Sequence, residues 1–441
     1  MKRLLSLLLC AVLALFCATT AQAAGVSITL TASEYALHYA FDAGAQDPFV
    51  ILEYTTPAEK GWMMLYSADG RFEGDIALAY SGAGGKTSVA LTSARTTGSI
   101  GKASTTLPKA VDYQKPTGKS NAKVMDFVLT ETPEGFHYAF NAAGTDYMLL
   151  YWRSKEQTVT QPVYPDENGH YEGDVISELT FARTQFTVQV KSGSGSMKKE
   201  ATVRKGYQAP EAPQRQEGRL SGVTVCIDAG HQENGRFVNE PIGPGLTGST
   251  SGKGGMAQGT KTNRRESIVC LEIGMLLRDE LLRQGANVVM TREDQTTFHT
   301  NIERCEIAEA GGAQIMLRLH CNNSSNRSKR GIQVYGPLNS DYAKAVADAD
   351  TYREMGQKLL DAMKTRVGMT LANSTGMVRL NDNYVGNNWA KMMCFLVEMG
   401  YLSNPAEEYL LVTPVYQQWL AEGMADGVYE IAVARGWVQA Q

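Results

Sequence analysis

One stretch, VTVCIDAGHQENG at residues 223–235, decides the fold of the C-terminal half of the chain. Its apolar first half predicts a buried strand, which turns polar at Asp228 and places His231 directly after a glycine. The same pattern returns in QIMLRLHCNN, which carries His320, and in CFLVEMG, which carries Glu398. Three apolar strands therefore end near side chains that can bind a metal or transfer a proton.

Helical segments separate these strands. The clearest runs from Glu266 to Arg283, where apolar residues recur at helical spacing and Gln284-Gly285 is an end signal. Alternating strands and helices predict an α/β domain with a mostly parallel sheet flanked by helices. Ligands of such sheets bind at the carboxyl ends of the strands, which is where we expect His231 and His320.

These residue types suit a catalytic zinc site, which takes two neutral imidazoles and an ionised carboxylate and leaves one position for water. Glu266 begins its predicted helix, where a carboxylate is electrostatically favoured. Glu398 lies among apolar residues, where a carboxylate needs a partner. One carboxylate would bind the metal, and a second would serve as the general base toward the water. Taken singly, each residue has a structural alternative: a strand-end histidine can be a capped structural residue, and Glu266 a helix-start carboxylate.

The same residues carry a resemblance to a known family, over about residues 220 to 437. The C-terminal half resembles the zinc-dependent N-acetylmuramoyl-L-alanine amidases, the type 3 peptidoglycan amidases. The segments that resemble the family's motifs, in the family's order, are IDAGHQENG, ESIVCLEIGMLLRDEL, VVMTREDQ, IERCEIAEAGGAQIMLRLHCNN and FLVEMGYLSNPAEEYLL.

The resemblance implies roles for four residues. His231, Glu266 and His320 would bind Zn²⁺, and Glu398 would be the catalytic glutamate. The enzyme would hydrolyse peptidoglycan between the lactyl group of N-acetylmuramic acid and L-alanine. Glu398 would take a proton from water and pass it to the leaving amine.

The chain departs from the family pattern at several positions. The segment between His231 and Glu266 is long and glycine-rich, and it brings Glu233 and Glu240 forward as alternative ligands. We expect it to be a flexible loop on the substrate side of the cleft. Cys321 follows His320 and could bind zinc, although strand alternation points it away.

Two further residues belong to the opening stretch. Gly230 is expected to let the backbone turn so that His231 faces a metal. Asp228 is expected to contact a metal ligand from behind or to stabilise that turn, rather than to act as a fourth ligand.

The N-terminal half contains an internal repeat. EYALHYAFDAG returns as PEGFHYAFNAA, and GRFEGDIALAY returns as GHYEGDVISEL in the same register. Short alternating strands and frequent turn residues predict two β-sandwich-like repeats. His38 and His137 occupy equivalent places, and we interpret them as strand histidines because no second ligand is seen to repeat beside them.

Composition narrows the class of protein. The 441 residues are 43% hydrophobic and 20% charged, as in globular domains, and the net charge of −4 provides no basic excess for nucleic acid. Residues 1–23 have the charged end, short apolar run and Ala21-Gln22-Ala23 site of a cleaved signal peptide, so no stable membrane insertion is expected. The cysteines outside that segment are expected to be buried thiols rather than disulfides.

The predicted organisation is therefore multidomain. It comprises a signal peptide (1–23), β-sandwich-like repeats (24–113 and 120–204), a linker (205–219) and an α/β zinc amidase domain (220–441). The protein would be secreted, to the cell wall or periplasm, with peptidoglycan as its partner. Two alternatives stay open: a wall-binding or scaffold protein with an inactive amidase domain, or a zinc peptidase that acts on wall peptides.

Overall fold

A computed structural model describes most of the chain. The described residues are 19–21, 25–33, 36–57, 60–78, 84–96, 98–109, 121–132, 135–145, 147–154, 158–176, 184–192, 195–205, 209–232, 238–250, 255–367 and 378–440. The chain divides into two compact units, Met1–Lys115 and Pro116–Gln441. Most of the predicted signal peptide lies outside the described residues. Among those described, no helix combines the length and apolar character needed to cross a membrane.

The first unit consists of β-strands in two four-stranded sheets, ordered β1-β2-β3-β6 and β5-β4-β7-β8. One core contains apolar side chains of both sheets, among them Leu37, Leu52 and Leu91. Strand alternation explains this in β3 and β7, where every second side chain is buried in the core. The strands are β1 (Thr19–Ala21), β2 (Ile28–Ala32), β3 (Ala36–Asp42), β4 (Phe49–Thr55), β5 (Lys60–Tyr66), β6 (Arg71–Ala77), β7 (Gly85–Ser93) and β8 (Ser99–Leu107).

The second repeat, in the other unit, has the same kind of arrangement, with sheets ordered β13-β10-β9 and β12-β11-β14-β15. Its core joins Phe136 and Phe140 of one sheet to Trp152 and Phe186 of the other. The strands are β9 (Val124–Thr132), β10 (Gly135–Ala142), β11 (Met148–Arg153), β12 (Thr158–Val163), β13 (His170–Ile176), β14 (Thr184–Ser192) and β15 (Met197–Lys205).

The repeated histidines His38 and His137 do have repeated acidic partners. The sequence-based statement that no second potential ligand repeats beside them was therefore wrong. A ring nitrogen of His38 lies 3.0 Å from Asp75, and that of His137 lies 3.0 Å from Asp174. Glu73 and Glu172 lie beside the other nitrogen of each ring. The acidic partners belong to GRFEGD and GHYEGD, and only antiparallel pairing of β3 with β6, and of β10 with β13, places them opposite the histidines.

The C-terminal part is a six-stranded mixed sheet with helices, as the strand-helix alternation predicted. The order is β17-β16-β18-β21-β19-β20, and only the β19–β21 pair is antiparallel within the described sheet. The strands are β16 (Thr224–Ala229), β17 (Asn287–Met290), β18 (Ile315–Asn322), β19 (Gln333–Gly336), β20 (Val378–Leu380) and β21 (Met393–Tyr401).

Helices cover both faces of this sheet. They are α1 (Glu266–Arg283), α2 (Asn301–Ala310), α3 (Asp341–Val346), α4 (Ala349–Val367), α5 (Val385–Trp389), α6 (Pro405–Leu411) and α7 (Pro414–Ala434). The bounds of α1 are those predicted from its periodicity. Gly274 of α1 packs against Ile227 and Leu319 on one face, whereas Cys305 of α2 packs with Cys226 on the other.

Candidate metal centre

His231, Glu266 and His320 meet at the carboxyl ends of β16 and β18. His231 follows β16, Glu266 opens α1, and His320 lies near the end of β18. One carboxylate oxygen, Glu266 Oε1, lies 3.0 Å from His231 Nε2 and 3.0 Å from His320 Nδ1. One donor atom from each of the three residues falls within 4.8 Å of the others. The structure thus brings together the three residues that the sequence analysis proposed as ligands.

The turn that presents His231 differs from the one expected. His231 itself has a φ of 58°, in the left-handed region that few non-glycine residues adopt. Gly230 is needed for a different reason. A Cβ atom there would lie 2.4 Å from the carbonyl oxygen of Leu319 and 2.6 Å from Cε1 of His320. The glycine therefore allows β16 and β18 to come close where the two histidines meet.

Glu266 is held as an ionised carboxylate. Its Oε2 accepts a hydrogen bond from the backbone nitrogen of Ala257 at 2.8 Å, and its Oε1 accepts one from the backbone nitrogen of Cys321 at 3.0 Å. Burial alone would raise the pKa of Glu266, but its contacts with His231 and His320 lower it well below the ordinary value. This carboxylate carries a negative charge at any physiological pH, as a metal ligand must.

Glu398 lies beside this cluster in a different electrostatic state. It is the register partner of His320 on the neighbouring parallel strand. Its Oε2 is buried and has no hydrogen-bond partner within the described part of the chain. Burial, and then the negative charge of Glu266, raise the pKa of Glu398 well above its usual range. A buried carboxyl group with a raised pKa beside a candidate metal site is typical of a group that takes part in proton transfer.

Asp228 does not join the cluster, because its two oxygens are occupied by other residues. Its Oδ2 accepts from Arg318 at 2.9 Å, and its Oδ1 accepts from Arg304 and, at 2.7 Å, from Thr291. Burial alone would raise the pKa of Asp228, but the guanidinium groups of Arg304 and Arg318 lower it far below the usual value. The side chain thus ties β16 to neighbouring elements, consistent with the expected structural role.

Two arginines hold the backbone around the first histidine. Arg292 donates to the carbonyl oxygens of Ala229 at 2.7 Å and Gly230 at 2.8 Å, and Arg304 donates to that of His231 at 3.2 Å. Both arginines lie within segments that resemble the family's motifs, but no role was predicted for them. Their positions in the sequence do not indicate that both contact the same turn.

The long segment before Glu266 is anchored where the structure describes it. Glu240 caps α2 by accepting from the backbone nitrogen of Ile302 at 2.8 Å and from Asn301 at 2.7 Å, so it lies apart from the cluster. The backbone nitrogen of Lys261 donates to Glu408 of α6 at 3.0 Å. Glycine content suggested a free loop, but the described part of the segment is held by donors on α2 and by acceptors on α1 and α6. Residues 233–237, with the alternative ligand Glu233, lie outside the described residues.

The five cysteines outside the predicted signal peptide are all free and buried, as expected. Cys321 follows His320 in β18, but its side chain is in contact with Cys270 of α1 rather than with the cluster. Burial raises the pKa of the Cys321 thiol well above its usual value, which disfavours the thiolate that binds metals. The donor set of the cluster is therefore two imidazoles and one carboxylate.

This donor set fits a catalytic zinc ion. Zinc in hydrolytic sites is held by three protein ligands of these types and keeps one position open. The converging nitrogens and oxygen match that requirement, and the unpartnered Oε2 of Glu398 lies on the adjacent strand. The arrangement can hold a divalent metal with a proton acceptor beside it.

Residues 225–430 match the model of the N-acetylmuramoyl-L-alanine amidase family, which confirms the resemblance of the C-terminal half. A relative described as "Germination-specific N-acetylmuramoyl-L-alanine amidase", from Bacillus subtilis, is 26% identical over 231 residues, covering 49% of this chain and 83% of its own length. A "Probable cell wall amidase LytH" from Staphylococcus aureus is 27% identical over 218 residues, covering 48% of this chain and 60% of its own length.

Solved structures of amidases match about half of the chain. The N-acetylmuramoyl-L-alanine amidase from Clostridium difficile 630 is 24% identical, covering 48% of this chain and 96% of its own, with a TM-score of 0.38. The apo form of the amidase Ami1 from Mycobacterium abscessus is 20% identical, covering 48% and 99%, with a TM-score of 0.43.

Proposed function

We propose, from the match of residues 225–430 to the amidase family, that this half of the chain is a zinc-dependent peptidoglycan amidase. It would hydrolyse the amide bond between the lactyl group of N-acetylmuramic acid and L-alanine. The observation that carries the proposal is the convergence of His231, Glu266 and His320 next to Glu398. The names of the two bacterial relatives support the substrate class.

In this proposal His231, Glu266 and His320 hold the zinc ion. The bound ion would supply the positive charge that makes a water more acidic and stabilises negative charge on the substrate carbonyl oxygen. Glu266 contributes a fixed negative charge, and its backbone donors at Ala257 and Cys321 fix its orientation. Arg292 and Arg304 hold the turn that presents His231, so the ligands are positioned before substrate arrives.

Glu398 is the proposed proton carrier. Its unpartnered Oε2 accepts a proton from the attacking water as the new C–O bond forms at the lactyl carbonyl carbon. The same oxygen then donates that proton to the alanine nitrogen as the C–N bond breaks. The first step needs the ionised form of Glu398, which the charge of a bound zinc ion would favour. Burial favours the protonated form, which suits the second step, in which Glu398 donates to the leaving amine.

The rest of the chain completes the proposal. Residues 1–23 would be a cleaved signal peptide, and the protein would act outside the cytoplasm at the cell wall. Residues 24–113 and 120–204 would be β-sandwich-like domains, supported by the two sheets around one core in each. Residues 205–219 would link them to the catalytic domain, residues 220–441. The sheet of that domain would be mostly parallel.

Mass spectrometry of digested muropeptides tests the function. Wild-type protein should release intact stem peptides with free L-alanine amino termini and leave the glycan strands uncut. Glu398→Gln should lower turnover by about 10²- to 10⁴-fold while zinc content stays stoichiometric. Glu309→Gln is a matched control, because Glu309 is an exposed glutamate that pairs with Lys391.

Three outcomes would contradict the proposal. Turnover that survives both chelation and Glu398→Gln would exclude the assigned chemistry. Pure protein without stoichiometric zinc would favour an inactive domain that serves as a wall-binding scaffold. Products cut within the stem peptide would indicate a zinc peptidase instead.

A further inference from the structure

A row of polar side chains crosses the sheet from the metal cluster toward the edge strand. Glu398 of β21 is the register partner of His320 on one side and of Gln333 of β19 on the other. Two residues along β19, Tyr335 donates its hydroxyl hydrogen to Gln333 at 2.6 Å. Tyr335 in turn is the register partner of Arg379, the middle residue of edge strand β20. Paired residues lie side by side, so the row ends at an arginine.

Arg379 faces the same side of the sheet as Glu398. Its neighbour Val378 packs on Gly356 of α4, and Leu380 packs on Gly336 next to Tyr352 of the same helix. Successive side chains of a strand point to opposite faces, so Arg379 points away from α4, toward the cluster side. The residue is exposed to solvent.

The electrostatics of the row are asymmetric. At one end, Glu266 and Glu398 are carboxyl groups. At the other end, Arg379 is a guanidinium that keeps its charge at all physiological pH values. Tyr335 lies between them: burial and then Glu398 raise its pKa, while Arg379 lowers it. An anionic group of a bound molecule is therefore attracted at the arginine end of the row.

We propose that Arg379, with Tyr335 beside it, forms a subsite for a carboxylate on the peptide side of the scissile amide. The inference rests on the proposed amidase function and deepens it. It makes Arg379 a specificity residue and gives the bound substrate a direction, with its peptide running from β21 across β19 toward β20.

The chemistry of a muramoyl peptide supports this direction. On the glycan side the lactyl carboxyl is consumed in the amide, whereas the peptide side carries free carboxylates. Strands are about 4.8 Å apart, so β20 lies about 10 Å from β21. An extended residue spans about 3.5 Å, so the second residue of the stem falls within reach of a long arginine side chain. A guanidinium can bind such a carboxylate through two parallel hydrogen bonds.

A pair of synthetic substrates tests the subsite. Both are N-acetylmuramoyl dipeptides with glutamate as the second residue, and they differ only in whether its α-carboxylate is free or amidated. Full-length, zinc-loaded wild-type protein should hydrolyse the free form more efficiently. Arg379→Gln should lower kcat/KM on the free form by about tenfold, through KM, and change it less than about twofold on the amidated form. Arg379→Lys should retain part of the preference, since charge without the planar fork remains.

Arg353→Gln is the matched control, because Arg353 lies on α4 and pairs there with Asp350. It should leave both rates and the preference unchanged. Equal losses on both substrates after Arg379→Gln, or a wild-type protein with no preference, would overturn the subsite while leaving the amidase function intact. A wild-type protein that hydrolyses neither these dipeptides nor intact peptidoglycan would instead overturn the proposed function.

Discussion

His320 and Glu398 stand side by side on neighbouring parallel strands, β18 and β21. The sheet hydrogen bonds therefore set the separation between a proposed metal ligand and the proposed proton carrier. The third ligand, Glu266, comes from the start of a helix and touches both histidines. A site built on regular elements is held more accurately than one built on loops alone.

Removal of the shared carboxylate should release the metal. In Glu266→Gln, the oxygen that both histidines approach loses its charge, so zinc affinity should fall by at least about 100-fold. Zinc content after dialysis against a weak chelator measures this. His38→Ala, which removes a histidine of the N-terminal unit, should keep full zinc content. Equal loss of zinc in both variants would contradict the assigned ligand set.

The close approach at Gly230 should not tolerate a side chain. Gly230→Ala places a methyl group 2.4 Å from the Leu319 carbonyl and 2.6 Å from the His320 ring, so β18 and His320 must shift. We expect zinc affinity and thermal stability to fall together. The control is Gly255→Ala, because a Cβ atom there meets no atom of the described residues within 4 Å. Retention of wild-type zinc affinity by Gly230→Ala would show that the strands can separate without cost.

Asp228 should be a stability residue. Asp228→Asn removes the negative charge that pairs with Arg304 and Arg318 and leaves both buried guanidinium groups without it. Breaking such a buried pair costs about 3–5 kcal/mol. Thr291→Val removes a single hydrogen bond to the same carboxylate and should cost about 2 kcal/mol. Thermal denaturation of the two variants compares the losses, and the unfolding transition to follow is the one whose Tm rises when zinc is added. Equal decreases in Tm would contradict the conclusion that the arginine contacts contribute most of the stabilisation by Asp228.

The pH dependence of metal-free stability should depend on Glu398. Because burial and Glu266 raise its pKa, the folded protein keeps a proton that the unfolded chain has already lost. The free energy of unfolding therefore falls as the pH rises above about 4.3, the ordinary glutamate pKa. Glu398→Gln removes this loss, so the variant should gain stability relative to wild type between about pH 5 and about pH 8. A difference in Tm between wild type and Glu398→Gln that stays constant over this range would refute the assignment.

Much of the site could be predicted from the chain alone. Apolar runs that turn polar marked the ends of β16, β18 and β21, and periodicity marked α1 with its correct bounds. These signals are local, because burial of one strand or one helix face repeats over a few residues. These local signals were sufficient to select His231, Glu266, His320 and Glu398. The structure brings the four residues together at the carboxyl ends of the strands.

Other features depended on contacts between distant segments. The acidic partners of His38 and His137 lie in the repeated segments of the sequence, but only strand pairing placed them opposite the histidine rings. The same holds for Glu240, which caps α2, and for the row that leads from Glu398 to Arg379.

The sequence by itself determined the element types, the repeat and the residue types of the site. Only the tertiary structure decided the left-handed backbone of His231, the arginine contacts of Asp228 and the register of the sheet. The physical reason is the range of the interactions. Periodicity and capping act within a few residues, whereas register and buried ion pairs form between segments that meet only when the whole domain packs.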